Sequence, residues 1–158
     1  MQRSLAAALM AGTLPVLSGC ASGFDSPVQQ DYNPTVGVNV RDGEVWALNL
    51  MVVMPETGRG TLVGALLNRT GRADALVDAT LRPDAGEPPV KASMLRSSVS
   101  LSPAQLVETS QPPTVAVDSN ITPGRFVTAT LEFEQAAPIE AKIPVLAAEG
   151  AYADVPLP

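Results

Sequence analysis

Sulfur without imidazole is the chemically telling feature of this chain: among its 158 residues are five methionines and one cysteine, and no histidine. Without histidine neither a Ser-His-Asp nor a Cys-His arrangement can form. A Ser–Lys dyad needs a lysine near a nucleophile, and Lys91 and Lys142, the only lysines, stand in no Ser-x-x-Lys spacing. Carboxylate pairs could do acid–base work. Glu132 and Glu134, however, alternate with apolar residues and read as the solvated face of a strand. Asp84 and Glu87 fall in a Pro/Gly-rich loop. No phosphate-cradling glycine loop and no calcium-loop spacing occurs. The chain is expected to be no enzyme and to carry no cofactor.

The remaining chemistry is soft-metal binding. Thioether sulfur suits Cu(I), and Met51, Met54 and Met94 are the candidates once Met1 and Met10 are set aside. Met51 and Met54 are three apart in an extended run, so they point to opposite faces unless a bulge intervenes. Met54 shares parity with Trp46 and Leu50, which favours core filler. No metal site is therefore expected.

The single cysteine has a different use. Arg3 and an apolar run from Leu5 to Leu17 lead into Leu17-Ser18-Gly19-Cys20. The run is too short to span a bilayer and has the layout of a secretory signal. Its ending resembles the bacterial lipobox. That resemblance implies cleavage before Cys20 and fatty-acyl chains, such as palmitate, on the new N-terminus. Residues 1–19 are thus expected to be a lipoprotein signal peptide, and residues 20–34 a lipidated start and flexible tether. The protein is placed on the outer face of the cytoplasmic membrane. The net charge is −6, and loss of Arg3 makes the mature chain one unit more acidic. That balance disfavours nucleic acid and electrostatic adhesion to anionic lipid, so the acyl chains must hold the membrane.

From Thr35 the pattern is β, and residues 35–149 read as one domain followed by a tail, 150–158. Fifteen prolines and twelve glycines oppose long helices, and with 4% aromatics the core must come from Val, Leu, Ala and Ile. Val36, Val38 and Val40 alternate, and Asp42-Gly43 offers a turn. Glu44 to Met54 is apolar on both parities, with Trp46, Leu48, Leu50, Val52 and Met54 expected inward. Its other parity, Val45 to Val53, is either covered within the fold or open to a partner. Thr61–Leu67 closes at Asn68-Arg69-Thr70-Gly71. Ala75, Val77, Ala79 and Leu81 are expected to face in. Short strands follow at Val90–Met94, Ser97–Leu101, Gln105–Glu108 and Thr114–Val117. Then Val127, Ala129, Leu131 and Phe133, and Ile139, Ala141 and Ile143, alternate against polar partners. Seven to nine short strands with a turn every eight to twelve residues indicate an antiparallel, immunoglobulin-type β-sandwich.

Several short motifs carry a family resemblance. They are the lipobox, Asp31-Tyr32-Asn33-Pro34-Thr35-Val36-Gly37-Val38-Asn39, Asn49, Thr122-Pro123-Gly124-Arg125-Phe126, and Ala151-Tyr152-Ala153-Asp154-Val155-Pro156. Together they resemble small actinobacterial lipoproteins related to the periplasmic Cu(I) chaperones that serve the copper centre of cytochrome oxidase. The resemblance implies an immunoglobulin/cupredoxin-like sandwich. It also implies histidine and methionine ligands, including a late His-x-Met pair. Where that pair would fall, this chain has Thr114, Val115, Ala116 and Val117; only Met94 lies near the early ligand segment. The expected function is therefore a lipid-anchored, non-catalytic envelope lipoprotein whose sandwich contacts another envelope or membrane protein, a respiratory complex among them. The alternative is a degenerate periplasmic copper chaperone.

Overall fold

The computed structural model describes residues 36–83, 90–118 and 121–158. All of them belong to one compact unit, Pro34–Pro158. The signal, the Leu17-Ser18-Gly19-Cys20 motif, the tether, and Asp84 and Glu87 lie outside the described residues.

Among the described residues are ten strands, against the seven to nine expected. They are β1 (Val38–Val40), β2 (Val45–Met54), β3 (Gly60–Asn68), β4 (Asp74–Pro83), β5 (Ala92–Met94), β6 (Val99–Leu101), β7 (Leu106–Glu108), β8 (Val115–Val117), β9 (Phe126–Phe133) and β10 (Ile139–Ala147). A 3-10 turn, Gly150–Tyr152, follows. Among the described residues no helix is long and apolar enough to cross a membrane.

The strands run β5-β8-β3-β2-β10-β9-β4-β6, with β1 beside β2 and β7 beside β3. The fold is all-β and sandwich-like, as expected, but its pairing is not wholly antiparallel. β10 pairs antiparallel with β9 from Ile139 to Pro144, then runs parallel to β2 from Val145 to Ala147. Pro144, which has no N–H to give, stands at the changeover. One strand thus joins the two layers, β5-β8-β3-β2 and β9-β4-β6.

Leu50, Val52 and Leu62 from the first layer and Leu76, Val127 and Leu131 from the second meet in a single apolar core. On β9 and β10 the alternation read from sequence holds. Val127, Ala129, Leu131 and Phe133 are buried, Thr128 and Thr130 half-buried, and Glu132 exposed.

Two bulges overturn the parity expected elsewhere. The β2–β3 register shifts between Leu48 and Met51, where Asn49 adopts φ +54°. Before the bulge, Val45 and Ala47 enter the core, while Trp46 and Leu48, expected inward, are only half-buried. After it, Leu50, Val52 and Met54 face in as expected. A second shift, between Leu76 and Asp78 against β9, puts Leu76 in the core and leaves Val77 half-buried. An extra residue turns every side chain beyond it to the other face, so no single parity fits either strand.

The first bulge is pinned by side chains. The Gly37 N–H donates to Asn49 Oδ1 at 3.1 Å, and the Asn49 N–H donates to Asn39 Oδ1 at 2.6 Å. Asparagine tolerates left-handed backbone better than most residues, and a short amide can reach both strands. A Cβ on Gly37 would stand 2.5 Å from the Asn49 carbonyl carbon. Gly37→Ala is therefore expected to cost at least about 2 kcal/mol. Asn49→Gly, which keeps the backbone shape, should cost less than Asn49→Ala, which adds about 1–2 kcal/mol of left-handed strain to the lost hydrogen bond. Urea unfolding of the three variants checks the order; equal costs for the two Asn49 changes would deny the backbone a part.

Candidate functional site

β5 and β8 bring together the two segments in which the resemblance locates its ligands. Ala92, Ser93 and Met94 pair with Val117, Ala116 and Val115, and Leu95 N–H donates to Thr114 O at 2.8 Å. β8 in turn pairs with β3 through Gly60–Val117 and Thr61–Ala116. Met94 is half-buried and packs on the core directly across from Val115. Val115, Ala116 and Val117 are fully buried.

Thr114 is 3% exposed, and its hydroxyl donates to Thr109 O at 2.9 Å. Thr109 donates from its own hydroxyl to Leu62 O at 2.9 Å. These hydroxyls serve backbone carbonyls, the ordinary use of a buried threonine. Around Met94 the neighbouring positions thus offer carbonyl, methyl and hydroxyl groups; soft copper capture needs further sulfur or imidazole.

The other methionines lie elsewhere. Met54 is a core residue at the end of β2, beside Gly60, and a Cβ at Gly60 would overlap its sulfur. Met51 is 1% exposed but stands outside the core cluster, on the opposite face of the sheet. The Asn49 bulge precedes both residues, so it leaves their mutual parity unchanged. Met54 and Met94 share the inner face, but β3 and β8 lie between their strands. At ordinary strand spacing that is about 14 Å. The three sulfurs among the described residues do not converge. Among the described residues no group of three or more His, Cys, Asp or Glu could hold a metal either.

A cleft of about 380 Å³ opens beside this pair of strands, between Thr80 and Leu81 of β4 and the segment from Val90 to Ser93. Arg59 crosses it, with Nε 3.4 Å from Asp118 Oδ1 and a terminal nitrogen donating to Ser93 Oγ at 2.9 Å. Both charged side chains are nearly half exposed, so the pair is worth at most about 1 kcal/mol. Ser93 Oγ accepts its bond from the guanidinium. The cleft can hydrogen-bond a small polar molecule. Arg59, Ser93 and Asp118 were not singled out by sequence reasoning, because they meet only through the pairing of β5, β8 and β3, with Arg59 just before β3 and Asp118 just after β8.

A second cluster was also missed. The Arg69 guanidinium lies over the Trp46 ring, 4.1 Å from its centroid. Trp46 faces Leu67 on β3, and Leu67 faces Leu106 on β7. The sequence pointed elsewhere: it set Trp46 and Leu48 inward and left the Val45 to Val53 parity as the second face, but Val45 and Ala47 enter the core and Met51 and Val53 are buried, so that face is covered within the fold.

No protein-family model and no curated protein matches the chain. Solved structures do. The copper-bound PCuAC domain from PmoF2 is 21% identical with a TM-score of 0.52, over 70% of this chain and 98% of that one. The apo PmoF2 PCuAC domain is 18% identical, TM-score 0.52, over 72% and 98%. The apo PCuAC domain from PmoF1 is 15% identical, TM-score 0.54, over 70% and 99%. The structural neighbours of this chain are thus PCuAC domains, and at these identities the likeness is one of fold. It agrees with the sandwich that the sequence resemblance implied.

Proposed function

We propose that this protein keeps the PCuAC scaffold without its metal capture and works by protein contact as a non-catalytic envelope lipoprotein. The observation that carries the reading is the β5–β8 pair, where Met94 lies across from Val115 and, among the described residues, no second soft ligand shares its strand pair. In this reading lipidated Cys20 holds the domain on the outer face of the cytoplasmic membrane. The partner is an envelope or membrane protein, with a respiratory complex as the first to test.

Competition of the purified domain against a Cu(I) chelator tests the reading. No stoichiometric capture in the nanomolar range is expected, because tight Cu(I) sites gather two to four soft ligands at one point. Sub-nanomolar, stoichiometric binding that disappears on Met94→Leu would restore the second reading, a copper chaperone with an altered ligand set. That reading is favoured by the fold shared with a copper-bound domain.

The anchor is tested separately. Cys20→Ala should release or mis-process the protein, since acylation needs the thiol. A mutant still bound to membranes at wild-type size, with no acyl mass on residue 20 of the parent, would overturn the anchoring.

A further inference from the structure

The two layers present different chemistry to their surroundings. Outside β4, β9 and β10 the side chains are mostly polar, including Thr80, Arg82, Thr130, Glu132, Glu140 and Lys142, with Phe126, 49% exposed at the start of β9, under the Lys142 ammonium. Outside β2, β3 and β7 one cross-strand row is Trp46, Leu67 and Leu106, and the next is Leu48, Ala65 and Glu108. Trp46, Leu48 and Leu67 are half-buried, and Leu106 is 53% exposed. A sandwich ordinarily alternates apolar-in and polar-out, so this apolar exterior calls for a cause.

The Asn49 bulge supplies it. Without the extra residue Trp46 and Leu48 would share the inward parity of Leu50; with it they turn outward. Bulges commonly re-aim side chains at working surfaces, and left-handed non-glycine residues cluster there too.

We infer that the row Trp46–Leu67–Leu106, with Arg69, is the docking surface for a protein segment bearing an apolar side chain next to a carboxylate. This rests on the protein-contact reading above and gives that contact a place. Charge and geometry select the occupant. Arg69 lies over the indole and takes part in none of the ion pairs among the described residues. A stacked guanidinium presents its N–H fork at the ring's edge, where a carboxylate matches it with two parallel bonds. Tryptophan and arginine are also among the residues most enriched in interface hot spots. Glu108, one row away and exposed, suits a polypeptide with a cation on its far side. A lipid surface would have to desolvate that carboxylate, and a second copy would bring together two domains that both carry excess negative charge.

Photo-cross-linking of the full-length protein in its own membranes tests the surface. A photoreactive residue replaces Leu106, with Thr130 on the polar layer as the control position. The expected result is one protein adduct from position 106 and none from 130, with the attached segment, read by mass spectrometry, holding an Asp or Glu beside an apolar residue. Arg69→Glu should cut the yield about tenfold or more, as loss of a hot-spot residue does. Changing that partner acid to Lys should restore it. The Arg69→Glu protein is checked for folding by far-ultraviolet circular dichroism and its urea midpoint, and Leu106→Asp, at an exposed position, gives a second disruption of the patch without touching the core. Equal adducts from both positions, an adduct to lipid alone or to a second copy, or a yield indifferent to Arg69→Glu would each overturn the inference. Absence of an adduct from a domain that binds no Cu(I) overturns this surface alone, whereas Cu(I) capture overturns the protein-contact reading itself.

Discussion

Leu50→Ala is expected to cost about 2–5 kcal/mol, and Leu48→Ala, two residues away, no more than about 1 kcal/mol. Leu50 is fully buried in the core, and it lies over Gly64, where a Cβ would come within 2.7 Å of its Cδ2. The strand beneath is already stripped to glycine, so little can move in to fill the space that Leu50 leaves. A cavity that cannot collapse gives the upper part of the range. Since whole domains are stable by only about 5–15 kcal/mol, the variant should unfold at markedly lower urea. Leu48, on the other side of the bulge, is half-buried on the outer face. Glu132→Ala, on the polar layer, serves as the neutral reference at within about 0.5 kcal/mol. Equal losses at Leu48 and Leu50 would mean that the bulge does not separate them.

Asn68→Ala should cost about 2–4 kcal/mol, an unusual amount for a residue at a turn. Asn68 is fully buried at the end of β3. Its amide nitrogen donates to Arg72 O at 2.7 Å and to Leu101 O at 2.9 Å, and its Oδ1 accepts from the N–H and hydroxyl of Thr70, both at 2.8 Å. One side chain thus closes the β3–β4 turn and ties it to β6. Alanine would leave these partners without it, and an unsatisfied buried group costs more than a made bond gains. Asn68→Asp keeps the shape but sets oxygen against both carbonyls. Its loss should be at least as large at pH 7. Below about pH 4 it should shrink, because the protonated acid regains one donor. Urea midpoints at pH 7 and pH 3.5 measure both effects; an Asn68→Asp variant as stable as the parent at pH 7 would disprove the donor role.

What the linear chain determined by itself was whatever depends on local chemistry and period. The absence of histidine removes whole classes of catalysis whatever the fold. Alternation on β9 and β10 identified the inward residues, because a strand paired without interruption keeps period two. Asn68-Arg69-Thr70-Gly71 read as a turn, since asparagine side chains bond their own backbone there. The tertiary structure decided the rest. Parity in β2 and β4 broke at Asn49 and near Val77, because a bulge arises from the register of two strands and leaves no mark on the alternation of one. The all-β sandwich held, but its pairing acquired a parallel segment, because β10 changes partner at Pro144, a choice made by which edges remain free. The three candidate methionines were separated by strand order, which spacing along the chain does not encode. For the same reason the Arg69–Trp46–Leu106 surface, drawn from three strands, was invisible until the sheet was assembled.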